Sequence, residues 1–187
     1  NKEGKEITNN ERGIKRKLSS LRTFYRYFHA NRMIDENPTL QVTMPKIHEK
    51  NIIRFEPNEA AEFLDQVESG TRLTREQQVR HEANKIRDLA ITTLLLGTGI
   101  RVSECVGIDI NDIDFSSDRI NIVRKGGYES FVYFGDEVRE ALLSYLEERK
   151  KMVPKEGHEN AFFLSNRMKR ISVRNVEVLV KKYARVV

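Results

Sequence analysis

Apolar residues recur with the spacing of an α-helix in five segments of this chain, which predicts a mainly helical fold. The first segment follows Asn10, a residue suited to capping a helix, and its apolar positions are spaced by four, three, four and three residues: Ile14, Leu18, Leu21, Tyr25 and Phe28. The second is predicted to begin near Pro57, because proline suits the first turn of a helix. The third, Glu82 to Leu96, is apolar on nearly every side and is predicted to be a central core helix.

Two further helices are predicted to begin at capping residues, Asp136 and Ser172. Before the fourth helix the period changes to two. Arg119 to Arg124 and Tyr128 to Phe134 are rich in β-branched and aromatic residues, and the glycines of Lys125 to Gly127 predict a turn between them. We therefore predict a mainly α fold with a small antiparallel β-sheet.

The chain is predicted to form two domains. Asp35 to Pro38 ends the first helical region, and the stretch from Met44 to Pro57 holds two prolines, scattered charges and no sustained period. We expect residues 1–44 to belong to a helical domain, residues 45–57 to be a linker and residues 58–187 to belong to a second domain.

The composition argues against membrane and secreted proteins. The 187 residues are 39% hydrophobic and 33% charged, and no apolar run reaches the roughly 18 residues that a membrane span needs. The first ten residues lack the apolar core of a signal peptide, so a cytoplasmic protein is expected. The one cysteine, Cys105, cannot form an internal disulfide, and the four histidines have no metal-ligand spacing with it. A reducing cytosol fits this pattern, and a zinc site does not.

The net charge of +5 is distributed unevenly. Residues 1–55 hold 12 Lys and Arg against 6 Asp and Glu, residues 56–148 hold 10 against 19, and residues 149–187 hold 11 against 3. The two ends of the chain are basic and its middle is acidic. This pattern favours a polyanionic partner that contacts both ends.

The first predicted helix carries a basic stripe beside its apolar face. No acidic residue lies between Arg12 and Arg32. The stripe includes four residues that we predict to contact DNA: Lys15, Arg16, Arg22 and Arg26. The alternative interpretation is a solvated face, which is the ordinary role of a charge run.

Arg101 lies between the glycines of Gly97 to Gly99 and Glu104, directly after the predicted core helix. An arginine at such a place needs a partner, because an unpaired buried charge is costly. The pair with Glu104 is either a structural ion pair or an anion site, since a guanidinium held by a carboxylate suits a phosphodiester. Lys125, next to Arg124 on the predicted turn, is either an ordinary turn lysine or a mobile cation.

Taken together, these motifs resemble those of the tyrosine recombinases, the integrases of phages and conjugative elements. The sequence LeuLeuLeuGlyThrGlyIleArgValSerGlu, at Leu94 to Glu104, is similar to the first signature box of the family. Gly107 to Phe115 and the LysGlyGly turn follow in the family's order. Upstream, Arg16 to Phe28 resembles the last helices of the family's core-binding domain, and downstream Lys181 to Arg185 resembles the stretch before the second box.

The resemblance implies that two domains clamp duplex DNA and that a tyrosine attacks the scissile phosphate, without a metal or cofactor. It implies that Arg101 grips a phosphate oxygen, that Glu104 orients Arg101 and that Lys125 protonates the departing 5′-oxygen. It also implies self-assembly on DNA, as a tetramer.

Residues 58–187 contain neither the family's histidine-x-x-arginine box nor its nucleophilic tyrosine, and Tyr183 is expected to be a core residue of the last helix. We interpret the chain as an internal portion of a site-specific DNA recombinase or integrase, inactive for cleavage by itself. Whether it serves a mobile element or the chromosome stays open. One alternative is a non-catalytic DNA-binding relative that acts as a regulator or accessory factor, although Arg101, Glu104 and Lys125 argue against it. A helical protein-interaction module is a weaker alternative.

Overall fold

The computed structural model describes residues 9–48, 55–124 and 126–187. The chain divides into two compact units, which we call unit 1, up to Arg54, and unit 2, from Phe55 to Val187. No helix among the described residues is both long enough and apolar enough to cross a membrane.

Unit 1 contains a helix of 20 residues, α1 (Glu11–Ala30), which is capped as predicted: the Asn10 side chain accepts a 2.8 Å hydrogen bond from the Gly13 amide. A 3₁₀ turn at Pro38–Leu40 packs against α1. The predicted apolar face is present, but no residue of α1 is buried, and Leu21 is 48% exposed. The described part of unit 1 offers α1 only the short segment that follows it, which is too little to cover the face.

The helices of unit 2 are α2 (Pro57–Ser69), α3 (Arg75–Glu82), α4 (Lys85–Thr98), α5 (Val102–Gly107), α6 (Asp136–Arg149) and α7 (Val173–Tyr183). α4 lies at the centre, because α2 and α6 both pack against it and its residues Ala90, Ile91 and Leu94 are fully buried. The prediction of a central core helix is confirmed. α2 begins at Pro57, as predicted.

The sequence pattern does not predict α3, and it places the start of the central helix at Glu82, three residues before the observed start. The reason is that α3 is almost entirely polar, so no apolar period marks it. Instead, hydrogen bonds at its N-terminus determine where this helix begins. The Thr74 amide donates to the Gln77 side chain (3.0 Å), and the Gln77 amide donates to the Thr74 hydroxyl (3.4 Å). The chain then turns at Ala83 and Asn84 before α4 begins.

One antiparallel sheet is formed by β1 (Ile113–Asp114), β2 (Arg119–Val123) and β3 (Glu129–Tyr133), in that order. In the register of β2 and β3, Arg119 lies opposite Tyr133. Ile120 and Ile122 point into the core, with 0% and 3% of their surface exposed. The predicted hairpin is confirmed, whereas β1 has two residues and is too short to show a period.

A buried arginine fastens the segment between α6 and α7. Arg149 donates to the carbonyls of Ala161 (3.0 Å) and Glu159 (2.7 Å). The Tyr145 hydroxyl accepts a 3.0 Å hydrogen bond from the Leu164 amide. Because these buried polar groups have partners, the segment enters α7 from a fixed position.

The N-termini of α6 and α7 differ in how well they follow the prediction. Ser172 caps α7 as predicted, since its hydroxyl accepts a 3.2 Å hydrogen bond from the Asn175 amide. The predicted cap at Asp136 is wrong by one residue. The capping position is Gly135, and Asp136 is the first helical residue, where its charge complements the helix dipole.

Candidate active site and basic surfaces

Arg101 is positioned by the break between α4 and α5. The Gly99 backbone has φ 64°, a left-handed conformation, and its amide donates to the Leu95 carbonyl (3.0 Å) at the end of α4. Ile100 then enters the core, and Arg101 is the capping residue of α5, with an extended backbone. The Arg101 side chain is turned outward and is 63% exposed.

Glu104 holds Arg101 at two points. Its Oε2 accepts a 2.8 Å hydrogen bond from the Arg101 amide, and its Oε1 accepts a 2.8 Å hydrogen bond from Nη1 of the guanidinium. Burial alone would raise the pKa of Glu104, but the hydrogen bonds from the Arg101 backbone and side chain outweigh it and lower that pKa below its ordinary value. The carboxylate is therefore ionised at neutral pH. Within the described part of the chain, Nε and Nη2 of Arg101 have no partner and can donate to an anion.

A second cation, Arg124, lies at the turn between β2 and β3 and interacts electrostatically with Glu104. Beyond burial and the bonds from Arg101, the charge of Arg124 lowers the pKa of Glu104 further. The Arg124 amide donates to the Tyr128 carbonyl (2.8 Å), which closes the hairpin. Lys125 lies outside the described residues, so its predicted role stays a prediction.

Arg170 fixes α5 from its other end. Its Nη1 donates to three carbonyls, those of Val106 (3.1 Å), Gly107 (2.9 Å) and Ile108 (3.1 Å). Its Nη2 forms an ion pair with Asp109. Carbonyls at a helix end lack partners within the helix, and Arg170 supplies one. Hydrogen bonds therefore hold both ends of α5, so the position of Arg101 at the N-terminus of this helix is fixed.

The four predicted DNA-binding residues all lie on α1 in unit 1: Lys15, Arg16, Arg22 and Arg26. Lys15, Arg16 and Arg26 are exposed. Arg22 is half-buried, and its Nη2 donates a 2.6 Å hydrogen bond to the Val42 carbonyl. Contact with DNA stays a prediction for all four, and Arg22 in addition ties the segment after α1 to the helix.

The predicted core position of Tyr183 is confirmed, since the residue is fully buried. Its hydroxyl donates a 3.1 Å hydrogen bond to Oδ2 of Asp88 and lies 3.0 Å from Nδ1 of His81. Because the phenol gives its single proton to Asp88, His81 must donate from Nδ1. Burial, and after it the charge of Asp88, raises the pKa of Tyr183 well above its ordinary value. A buried neutral phenol is unsuited to attack a phosphodiester.

The letters histidine-x-x-arginine occur once in the chain, at His29 to Arg32. They span the C-terminal end of α1 and the turn after it, in unit 1. The resemblance implies a box that follows the stretch Lys181 to Arg185, so this match of letters in unit 1 is not at the expected place.

Six cations that the sequence analysis did not single out line a cleft of about 750 Å³ in unit 2, which we call the basic cleft. They are Arg80, Arg87, Arg167, Lys169, Arg170 and Lys182. The cleft lies between α3, α4, the loop at residues 165–170 and α7. The basic excess over residues 149–187 is the only signal for it in the sequence, and that signal does not show that α3 and α4 contribute.

Comparison with known proteins places the chain in a family. Residues 54–186 match the phage integrase family. A protein named tyrosine recombinase XerC from Caldanaerobacter subterraneus is 36% identical over 171 residues, which cover 90% of this chain and 43% of that protein. A protein of the same name from Bacillus subtilis is 36% identical over 154 residues, which cover 81% of this chain and 47% of that protein. The chain thus spans about half the length of the curated relatives it matches.

Solved structures share the fold. The Tn1549 transposon integrase in complex with transposon right end DNA has a TM-score of 0.70 at 20% identity, covering 97% of this chain and 60% of that one. A lambda integrase dimer bound to a COC′ core site has a TM-score of 0.67 at 16% identity, covering 94% and 45%. These likenesses confirm the predicted fold class. On the match over residues 54–186, the chain belongs to the phage integrase family and is a member of the tyrosine recombinases.

Proposed function

We propose that the whole protein is a site-specific DNA recombinase that cleaves and rejoins DNA through a tyrosine nucleophile. The observation that carries the proposal is the Arg101–Glu104 pair. The carboxylate is 4% exposed and the guanidinium side chain 63% exposed, so one is a fixed anchor and the other is presented to solvent. In the surface pair Arg174–Glu177, also three residues apart, the glutamate is 47% exposed, so the buried carboxylate is what distinguishes the Arg101–Glu104 pair. Relatives named tyrosine recombinase support the same function.

In the proposed reaction the tyrosine oxygen forms a bond to the scissile phosphorus while the bond from phosphorus to the 5′-oxygen breaks. Arg101 donates to a non-bridging oxygen and stabilises the negative charge that develops there. Lys125 gives its proton to the departing 5′-oxygen. Glu104 does not touch the phosphate in this proposal and acts as a positioning residue for Arg101, through the two bonds of 2.8 Å.

The domain roles follow the same proposal. Residues 1–44 are the C-terminal part of a helical DNA-clamping domain, residues 45–57 are a linker and residues 58–187 are the first portion of the catalytic domain. The division of the chain at Arg54 supports this assignment, since it falls within the proposed linker. The chain by itself is expected not to cleave DNA, because residues 58–187 contain neither the histidine-x-x-arginine box nor the nucleophilic tyrosine that the resemblance implies, and Tyr183 is buried.

The proposed partner is duplex DNA, contacted from unit 1 by the α1 residues Lys15, Arg16, Arg22 and Arg26. Assembly as a tetramer on that DNA, in the cytoplasm, belongs to the same proposal. Structural neighbours such as the lambda integrase dimer on its core site support DNA as the partner.

Single-turnover cleavage by the whole protein tests the proposal, with Arg101→Ala and Lys125→Ala as the variants. Arg101→Ala should cost about 3 to 4 kcal/mol of barrier, roughly a hundredfold to a thousandfold in rate. Lys125→Ala should recover most of its rate on a substrate with sulfur in place of the 5′-bridging oxygen, because that leaving group needs no proton. Equal rescue of both variants, or of neither, would contradict the acid role of Lys125. Absence of cleavage and of a covalent adduct in the unchanged whole protein would contradict the function.

A further inference from the structure

We propose that a groove between α2, α4 and α6 binds a cationic amphipathic helix of a partner protein, a role that does not depend on the proposed function. The groove has a volume of about 730 Å³. α4 forms its floor and α2 and α6 form its walls, because both of these helices pack against α4. The walls carry four carboxylates, those of Asp65, Glu68, Glu137 and Glu140. We call this site the acidic groove.

The floor of the acidic groove is apolar. Ile86 and Leu89 of α4, together with Leu64 of α2, pack against the core but are only half-buried, and all three line the groove. The small residues Ala61 and Ala141 stand on the two walls, so another helix can approach the floor closely. An apolar strip between two helices is the form of a helix-binding groove, which a helix fills with side chains at every third or fourth position.

One polar group on the floor has no partner. Thr93 is 7% exposed and lines the groove, and its hydroxyl has no hydrogen bond with any residue that the structure describes. The hydroxyl of the neighbouring Thr92, by contrast, donates to the Asp88 carbonyl (2.8 Å). Because a buried polar group ordinarily has a hydrogen-bond partner, the Thr93 hydroxyl favours an occupant that supplies one. The ammonium group of a lysine can do so.

The carboxylates of the walls determine the charge of the occupant. All four are exposed, and none forms an ion pair with a residue that the structure describes. Among the described residues that line the groove, Lys85 is the one cation, and it pairs at 2.9 Å with Glu82, which does not line the groove. The negative charge is therefore not cancelled within the groove. It repels DNA and attracts the lysines and arginines of a protein segment.

The stability of α2 does not explain the charge of Glu68. This residue lies in the last turn of α2, which ends at Ser69. A carboxylate at the C-terminal end of a helix is unfavourable, because the helix dipole is negative there. The charge belongs to the acidic excess over residues 56–148, for which contact with DNA has no use. A cationic partner gives this excess a function.

The arrangement of the walls favours a helix over an extended peptide. Carboxylates stand on both sides of the apolar floor. An amphipathic helix has an apolar stripe with polar positions on both sides of it, so its cations can reach both walls while its stripe covers the floor. An extended peptide turns alternate side chains to opposite faces, so its cations would point away from the groove.

Binding of a synthetic helix by the chain as it stands tests the proposal. The probe is a fluorescent peptide of about five helical turns, with leucine at every third or fourth position and lysine elsewhere. One control peptide has the same composition in an order without a helical period, and another has glutamate in place of each lysine. Fluorescence anisotropy measures the affinity. NMR of the backbone amides locates the peptide on the unchanged chain, independently of any substitution.

The groove variant is Asp65→Asn/Glu68→Gln, which removes two charges and keeps the shape of both side chains. The matched control is Glu129→Gln/Glu156→Gln, at exposed positions that do not line the groove. Both variants should fold, which an unchanged urea midpoint checks. The groove variant should bind the lysine peptide roughly fivefold to tenfold more weakly, and the control variant should match the unchanged chain. The amides that shift in the unchanged chain should lie in α2, α4 and α6.

Absence of binding, equal binding of either control peptide, an equal loss in the control variant or amide shifts outside the three helices would overturn the proposal. Sedimentation of the chain alone tests a different occupant. Self-association that the groove variant abolishes would assign the groove to a second copy of the chain and would overturn a partner protein as its occupant. None of these outcomes involves cleavage of DNA, so failure here is distinguishable from failure of the proposed function.

Discussion

The hydroxyl of Tyr183 lies 3.1 Å from Oδ2 of Asp88, and this hydrogen bond joins α7 to α4 although the two residues are 95 positions apart in the sequence. Asp88 is 2% exposed and Tyr183 is fully buried. The carboxylate also receives Arg87 and Lys182, so two cations and one phenol converge on a single buried anion. The position of α7, and with it one wall of the basic cleft, depends on this convergence.

Asp88→Asn should destabilise the protein more than Tyr183→Phe. The amide cannot compensate the charges of Arg87 and Lys182, whose side chains are only 14% and 20% exposed, so the cost should be about 3 to 5 kcal/mol. Tyr183→Phe removes one hydrogen bond and keeps the ions paired, so it should cost about 1 to 2 kcal/mol. Urea unfolding measures both values. Equal losses would show that the cations do not depend on the charge of Asp88.

Gly70→Ala should destabilise the protein more than Gly99→Ala. Both glycines end a helix in the left-handed region, with φ 63° and 64°, so an alanine pays the same conformational cost of about 1 to 2 kcal/mol at either place. At Gly70 the added Cβ would lie 2.6 Å from Cδ2 of the buried His81 ring, whereas at Gly99 it would meet nothing within 4 Å. The difference between the two urea midpoints therefore measures the clash. If the two variants unfold alike, the His81 ring moves aside without cost.

The Cys105 thiol should be inert in the folded protein. It is fully buried, and burial raises its pKa to about 12, so the reactive thiolate is scarce at pH 8. Ellman's reagent should react with it only after unfolding in guanidinium chloride. The control is an exposed thiol on the same helix, Ser103→Cys in a Cys105→Ala background, which should react at once. Rapid reaction of the unchanged protein would show that α5 opens readily.

Glu104→Gln should make the protein less stable at neutral pH and less sensitive to acid. The folded-state pKa of Glu104 is lowered, so its stabilisation is present above the ordinary value of 4.5 and is lost as the pH falls through the folded value. The glutamine has no such proton to take up. Thermal unfolding at pH 7 and pH 3.5 should therefore show a smaller drop for Glu104→Gln than for the unchanged chain. Glu156→Gln, at an exposed position, should behave like the unchanged chain.

The sequence predicts those elements whose buried residues recur at the spacing of a helix or a strand. The central helix, with Ala90, Ile91 and Leu94 buried, and the hairpin, with Ile120 and Ile122 buried, are both visible as apolar patterns. α3 is not visible, because reciprocal capping bonds rather than an apolar face fix it. The helix α1 is a different case. Its apolar pattern predicts a buried face, but the described part of unit 1 does not cover that face.

Some contacts of the candidate site can also be predicted from the sequence, whereas others cannot. Arg101 and Glu104 are three residues apart, so one turn of helix suffices to predict their pairing. The contacts between Asp88 and Lys182 and between Arg87 and Asn166 form only in the tertiary fold, and no local sequence pattern predicts them. Pairings of this kind define the basic cleft, which is why charge counting along the sequence detects an excess of cations without locating their site.

Arg22 and Arg26 should respond differently to alanine, although both belong to the basic stripe of α1. Arg26 is exposed, so Arg26→Ala should make the salt dependence of DNA binding shallower by about one unit and leave unit 1 otherwise unchanged. Arg22 gives Nη2 to the Val42 carbonyl, so Arg22→Ala should change the salt dependence less and should speed amide exchange around Val42. Binding titrations over a range of salt, together with hydrogen exchange of both variants, separate the two effects. Equal changes in salt dependence for the two variants, with unaltered amide exchange around Val42, would show that Arg22 only contacts phosphate. Its hydrogen bond to Val42 would then not stabilise unit 1.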